Sequence, residues 1–402
     1  MSSDAPEGND APASGDITLT VSAQFSDTPK ADWDTLSGAS RNISETPYNP
    51  FVSHAFLSSV EDSGCAIRET GWLGQHMTLR AGDGTLLGAV PAYLKSHSQG
   101  EYVFDHGWAD AFERAGGRYY PKLQISVPFT PARGPRLLVR TDVEPHAVRQ
   151  ALAEGIKTLT GRLGISSAHV TFAADKDIAA LREAGFLMRV DQQFHFFNRG
   201  YENYEDFLGT LASRKRKALR KERRTALENG IEIDWLTGSD ISEAVWDDFF
   251  AFYMDTGSRK WGRPYLNRRF FSLIGERMPD DILLVMARRN GRYIAGAINF
   301  IGSDTLYGRN WGCIEDHPFL HFEVCYHQAI EFAIARGLST VEAGAQGEHK
   351  LARGYEPVIT RSAHHIPHPG LRRAVADYLE SEREDVAEFN RILADHTPFR
   401  KG

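Results

Sequence analysis

The stretch from Glu342 to Tyr355 holds the densest set of groups able to do chemistry: Glu342, then Gly344-Ala345-Gln346-Gly347, then Glu348-His349-Lys350 and Arg353-Gly354-Tyr355. Glu342 closes a strand pattern, and the glycines let the backbone approach a ligand without side-chain obstruction. Behind them come a carboxylate, an imidazole that titrates near neutrality and a fixed cation. Such a set can take a proton from a nucleophile and steady the negative charge that develops. Glu342 or His349 is the candidate base, Lys350 or Arg353 the candidate to steady an oxyanion or a phosphate, and Gly344 and Gln346 are loop contacts. A solvated polar loop would show the same triplet.

Other groupings could bind. Arg309-Asn310-Trp311 ends a strand, and His317, His321 and Glu323 open the helix that follows, where unpaired N–H groups favour an anion. His317 and His321 stand four apart, but Pro318 puts His317 at or before the first turn and no third ligand has a fixed spacing, so no metal is expected. The run Ser213 to Arg224 sets Arg214, Lys215, Arg216, Lys217, Arg220, Lys221, Arg223 and Arg224 against Glu222 alone. On a helix, Arg216, Arg220 and Arg223 share one face, and Lys217, Lys221 and Arg224 its neighbour. This density suits a polyanion such as a diphosphate, a tRNA backbone or an anionic membrane surface. The alternative is a solvated helix paired with acidic neighbours. Arg259-Lys260-Trp261 could continue the groove, its indole offering a stacking face. The irregular segment Phe104 to Arg136, rich in Gly, Pro and aromatics, reads as a binding loop, a lid or an ordered linker, and adds Trp108, Tyr120 and Lys122 as candidate contacts. Neither a Gly-x-Ser-x-Gly elbow nor a Gly-x-x-x-x-Gly-Lys-Ser/Thr loop occurs, so serine nucleophilic catalysis and nucleotide hydrolysis are not expected.

The elements that must position these residues form one pattern that occurs twice. Asp83-Gly84, Leu87-Gly88-Ala89-Val90, Trp108, a helix closing at Gly164, the strand Ala168 to Phe172 and Gly185-Phe186 are answered by Asn290-Gly291, Ala295-Gly296-Ala297-Ile298, Trp311, a helix closing at Gly337, the strand Thr340 to Ala343 and Gly354-Tyr355. Two related α/β units, 17–190 and 191–370, bury a shared seam, and seams hold ligands. Helices are expected over 146–161, 177–184, 204–228, 243–256 and 318–336, with a charged amphipathic helix over 371–393 in a C-terminal segment, 371–402. Strand Phe194 to Asn198 is expected to open the second unit. A chain of 402 residues with 42% hydrophobic content can bury both cores. Asp4, Glu7, Asp10 and Asp16 belong to a Pro/Ser/Gly/Ala-rich tail, about 1–16, expected to be disordered, which leaves no general nucleic-acid signature in the rest. Cys65, Cys313 and Cys325 lack paired spacing, and the start Met1-Ser2-Ser3-Asp4 lacks a signal-peptide profile, so a cytoplasmic location is expected.

Several strings resemble a bacterial family, the predicted N-acyltransferases or FemAB-like peptidoglycan biosynthesis proteins of the GNAT superfamily, over about 47–385. They are Asn49-Pro50-Phe51, His106 to Ala111, Tyr119 to Gln124, Leu211 to Lys221, Arg259 to Gly262, His321-Phe322-Glu323 and Glu342 to Lys350. The resemblance implies an α/β (α+β) fold of two tandem GNAT-like domains in the Fem-type arrangement, the first supporting and the second catalytic. It also implies transfer of an activated acyl or aminoacyl group onto an amine in cell-wall or lipid-linked precursor metabolism. The donor would be an acyl-CoA or an aminoacyl-tRNA, and Arg353 before Gly354-Tyr355 matches a basic position of Fem-type enzymes. The Arg/Gln-x-x-Gly-x-Gly/Ala loop that holds coenzyme A pyrophosphate is missing, and so is a recognisable Fem coiled-coil arm. The reading from another class is a non-catalytic binding protein for an anionic precursor or RNA.

Overall fold

The computed structural model describes residues 17–39, 47–261, 264–344, 347–394 and 398–400. The tail expected to be disordered lies outside them. The first copy contributes β1 (Thr18–Ser22), β2 (Trp72–Gly74), β3 (His76–Arg80), β4 (Leu86–Val90), β5 (Ala92–Lys95), β6 (Lys122–Ile125), β7 (Leu138–Val139), β8 (Ala168–Val170) and β9 (Leu187–Phe197). The second contributes β10 (Ile231–Thr237), β11 (Ile282–Arg289), β12 (Arg292–Ile301), β13 (Thr305–Cys313), β14 (Thr340–Glu342) and β15 (Glu356–His365). They build a four-stranded sheet, β1-β3-β4-β7, and an eleven-stranded sheet, β10-β11-β12-β13-β14-β9-β15-β8-β6-β5-β2. The chain passes between sheets at Gln75 and at Pro91, where proline supplies no ladder donor.

The repeat is visible as two parallel pairs, β6 with β8 and β13 with β14, each needing a crossover helix. Pro145–Leu163 fills that role in the first copy and packs on Leu123, Ile125, Ala168 and Val170. In the second copy the segment ending in Gln328–Ala335 packs on Leu306 and Val341. Because side chains alternate along a strand, Glu342 next to the helix-facing Val341 is directed to the opposite face of the sheet.

The two copies exchange their last strands. β9 pairs with β14 of the second copy, β15 pairs with β8 of the first, and the two exchanged strands run antiparallel to each other, Asp191 opposite Thr360. Strand β9 is therefore the end of the first copy rather than the opening of the second, and it runs unbroken through the division expected at 190 and 191. The register makes two positions equivalent: Glu342 opposite His195 in the second copy, and His169 opposite His364 in the first.

Local differences from the sequence expectation have local causes. The segment 104–136 contains the helix His106–Arg114 and strand β6. The helix expected over 204–228 breaks into Tyr204–Thr210 and Ser213–Ala226, because Leu211 adopts an extended backbone, is fully buried and bridges to Phe399. Helix Pro369–Ala394 packs Leu371, Val375 and Leu379 against Trp108 and Ile366. Among the described residues, no helix is long and apolar enough to cross a membrane.

Candidate active site

Strands β13 and β14 pair only over Thr305 to Tyr307 and Thr340 to Glu342. Beyond that point β13 continues along β12 to Cys313, while the other chain turns away at Gly344, whose φ of 79° favours glycine. The gap between them is a cavity of about 80 Å³ lined by Asn299, Arg309, Asn310, Trp311, His321, Cys325, Tyr326 and Ala343. Gly312 lets the helix Glu243–Trp261 approach β13, since a Cβ there would stand 2.0 Å from the Phe252 carbonyl oxygen.

A bulge sits at this gap. Between the paired positions Ala297 with Trp311 and Asn299 with Gly308, Ile298 alone faces both Arg309 and Asn310. An inserted residue re-aims side chains and leaves the ladder locally open. Arg309 and Asn310 accordingly line a second, small cavity as well, of about 10 Å³, walled by Phe51, Phe56, Phe129, Phe270 and Phe300 on the other side of the sheet. Both cavities thus share these two residues in their walls.

Glu342 lies on that second side, beneath a loop from the first copy. The Arg133 N–H donates to Glu342 Oε2 at 3.4 Å, and His195 Nε2 stands 3.9 Å from Oε1. Burial raises its carboxyl to about 7, against the pull of the Arg133 N–H and of the Arg133, Arg136 and Arg309 charges. Burial, then the Arg133 and Lys350 charges, lowers His195 to about 3, so the imidazole is neutral and the carboxyl is the partner of the two that titrates near neutrality.

The covering loop is tied on both sides. Arg309 Nη2 donates to the Phe129 carbonyl at 2.5 Å, Gln193 Nε2 to that of Pro131 at 2.6 Å and Asn49 Nδ2 to that of Arg133 at 2.9 Å. Phe129 holds a φ of 58°, rare for a bulky residue and common where a site over-determines the backbone. In the first copy the corresponding parting of β6 and β8 is filled by the buried Arg136, whose Nε donates to the Thr171 carbonyl at 3.0 Å and Nη2 to that of Ala132 at 2.7 Å.

Of the residues singled out in the sequence, Glu342, Arg309, Asn310, Trp311, His321 and Gly344 gather around the parting strands. Lys350 is buried behind them, donating to the Gly344 carbonyl at 2.9 Å, and burial lowers its amine to about 8. His349 Nε2 is 2.9 Å from the Tyr326 hydroxyl. Arg353 is locked: it donates twice to Glu222, at 2.8 and 2.7 Å, and lies 3.5 Å over the Phe322 ring. Glu323 is fully buried and accepts from Arg223 and Gln328, so it faces the basic helix rather than a bound anion. Lys122 is buried in the first copy, donating to Glu101 at 2.7 Å and Asp105 at 2.5 Å, while Tyr120 bonds Ser98 and Trp108 covers His364. These three form a separate cluster. Gln346 lies outside the described residues, and Arg259, Lys260 and Trp261 end the helix Glu243–Trp261 with side chains that are likewise not described.

On the basic helix, Glu222 accepts from His327 and Arg353, and Arg223 pairs with Glu323 and Glu331. Arg220 pairs with Glu205, and Arg216 reaches the Gly209 carbonyl. Arg214, Lys217, Lys221 and Arg224 stand together on the exposed face opposite Leu219. Spacing gave no hint of Arg133, Arg136 or Tyr326. For His195, a polar residue between Phe194 and Phe196 on a strand was the available signal.

A family model described as FemAB-like, peptidoglycan biosynthesis/recognition, matches residues 24–401. No curated protein matches the chain. Among solved structures, FemX is 12% identical, covering 87% of this chain and 98% of its own, with a TM-score of 0.54. A tandem GNAT protein from the clavulanic acid biosynthesis pathway is 11% identical over 88% and 99% of the two chains, with a TM-score of 0.45. L-PGS from Bacillus licheniformis is 10% identical over 75% and 88%, with a TM-score of 0.47. The shared fold is the two-domain GNAT-like arrangement.

Proposed function

Since the chain belongs to the FemAB-like peptidoglycan biosynthesis/recognition family, we propose that it is a transferase in cell-wall precursor metabolism that joins an activated acyl or aminoacyl group to an amine, forming an amide. The observation that carries this reading is the Glu342 carboxyl, raised to about 7 by burial, set where the pairing of β13 and β14 ends and close enough to Arg309 to feel its charge. A base poised near neutrality keeps a substantial ionised fraction there and is strong enough to take the ammonium proton.

In this reading the amine comes from the face that carries Glu342, and the donor enters from the cavity on the helix side. The amine nitrogen bonds to the acyl carbon and its proton passes to Glu342. The oxyanion forms beside Arg309 and Asn310, and the C–O or C–S bond to the carrier then breaks. Lys350 supports the Gly344 turn, and Arg353, tied to Glu222, supports the floor under His349. Exposed Arg214, Lys217, Lys221 and Arg224 attract the phosphates of an acyl-CoA, an aminoacyl-tRNA or the precursor itself. The segment between β13 and the next helix carries Glu315 and Asp316 instead of glycines, which disfavours a coenzyme A pyrophosphate there.

The same exposed cations favour, as the second reading, a non-catalytic protein that holds an anionic precursor or RNA. Mass spectrometry of ligands that co-purify with the protein, with turnover and binding measured for Glu342→Gln, separates the two. Lost turnover with retained binding supports the transferase, whereas an unchanged Glu342→Gln protein refutes the assignment of the base.

A further inference from the structure

We infer that Tyr326 delivers the proton that the leaving atom of the donor needs, and that the π-helical turn Glu323–His327 serves to aim it; this rests on the acyl-transfer reading above. The helix after β13 is interrupted by this five-residue π-helical turn between Leu320–Phe322 and Gln328–Ala335. Such turns are rare, and they gather at functional sites. In an uninterrupted α-helix Glu323, Tyr326 and His327 would share a face. Here the wider turn divides them. Glu323 bonds Arg223, and His327 bonds Tyr204 and Glu222, whereas Tyr326 lines the donor-side cavity with Asn310, Trp311 and Ala343.

The surroundings of the phenol fit proton delivery. Its hydroxyl is 2.9 Å from His349 Nε2, and His349 is exposed, so a proton has a path from solvent through the imidazole to the phenol. Burial pushes the Tyr326 hydroxyl up, which keeps it protonated through the neutral range. Base and acid then stand on opposite faces of one sheet. Ala343, one residue after Glu342, faces the cavity that Tyr326 lines. The step balances: N–C forms as the amine proton goes to Glu342, the oxyanion then collapses and the C–O bond to the carrier breaks, and the departing oxygen takes the Tyr326 proton, which His349 restores from water.

A thiolate leaves without help, and an alkoxide does not, so the two donor classes separate this role from packing. The full-length protein is assayed with hydroxylamine as acceptor and with trifluoroethyl acetate and S-phenyl thioacetate as ester and thioester donors. Tyr326→Phe is expected to lower kcat/KM for the ester about 100-fold and for the thioester no more than about threefold. His349→Gln should give the same selective pattern more weakly, and near-ultraviolet circular dichroism reports that each variant is folded. Equal losses on both donors, or none on the ester, overturn the inference. If Glu342→Gln abolishes both transfers while Tyr326→Phe keeps both, acyl transfer stands and only the proton donor is refuted. A wild-type protein that transfers from neither donor removes both.

Discussion

Replacing Glu342 by Gln should stabilise the protein while disabling it. The carboxyl has an ordinary value of 4.5 and is raised to about 7 in the folded chain. Below 4.5 it is neutral in both the folded and the unfolded states, and wild type and variant differ little. As pH climbs from 4.5 to about 7 the unfolded chain releases this proton and the folded chain keeps it, so wild type loses stability across that window. Above about 7 the whole deficit is present, about 3 kcal/mol from the difference between the two values. Gln keeps the shape and accepts the Arg133 N–H without a charge to desolvate. Urea unfolding of both proteins at steps between pH 4 and pH 8.5 measures the difference directly, because every other titrating group cancels. The gap should open by about 3 kcal/mol, in favour of the variant, between those limits. Over the same range wild-type turnover should rise through about pH 7 as the base ionises, and the variant should be slower by about 100-fold or more. Stability curves that run parallel at every pH would refute the claim that this carboxyl is held protonated by burial, and with it the argument for its role as base.

Three other outcomes follow from the geometry. Arg309→Met removes a cation shared by both cavities and the donor to the Phe129 carbonyl; kcat should fall about 100-fold in steady-state assays, with KM changed much less. Lys122→Met leaves Glu101 and Asp105 buried without their cation, and urea unfolding should show a loss of about 3–5 kcal/mol while the rise of turnover near pH 7 stays in place. Exchanging Lys217, Lys221 and Arg224 for Gln should change stability by no more than about 0.5 kcal/mol, yet lower the salt concentration at which the protein leaves a heparin column.

The repeat, and the strand patterns that end at Glu342 and at Arg309 to Trp311, were legible in the sequence, because hydrophobic period and glycine-closed helices are local signals. What covers Glu342 was not. An alternating strand such as β9 does not reveal which edge it will join, and the loop that brings Arg133 lies about two hundred residues away. Charge was the most misleading cue. Arg353, Glu323 and Lys122 have the residue types of a binding site, but each is held by a partner far along the chain: Glu222, Arg223 and Glu101. Buried cations and carboxylates must find such partners, and residue type alone does not separate that use from ligand binding. The π-helical turn was equally silent, since one extra residue per turn leaves the apolar pattern of Val324, Ile330 and Phe332 almost unchanged.

The exchange of β9 and β15 has a consequence for how this protein can be cut or recombined. A fragment ending near residue 197 would carry β9 with no neighbour on either side, and β8 would show a bare edge where β15 belongs. Unpaired edges of this kind recruit other chains, so isolated halves should aggregate, whereas the two fragments produced together should complement each other. The single chain has the connectivity of a strand-swapped homodimer whose subunits became joined end to end. Any half borrowed from a relative would arrive with its partner's missing strand rather than its own.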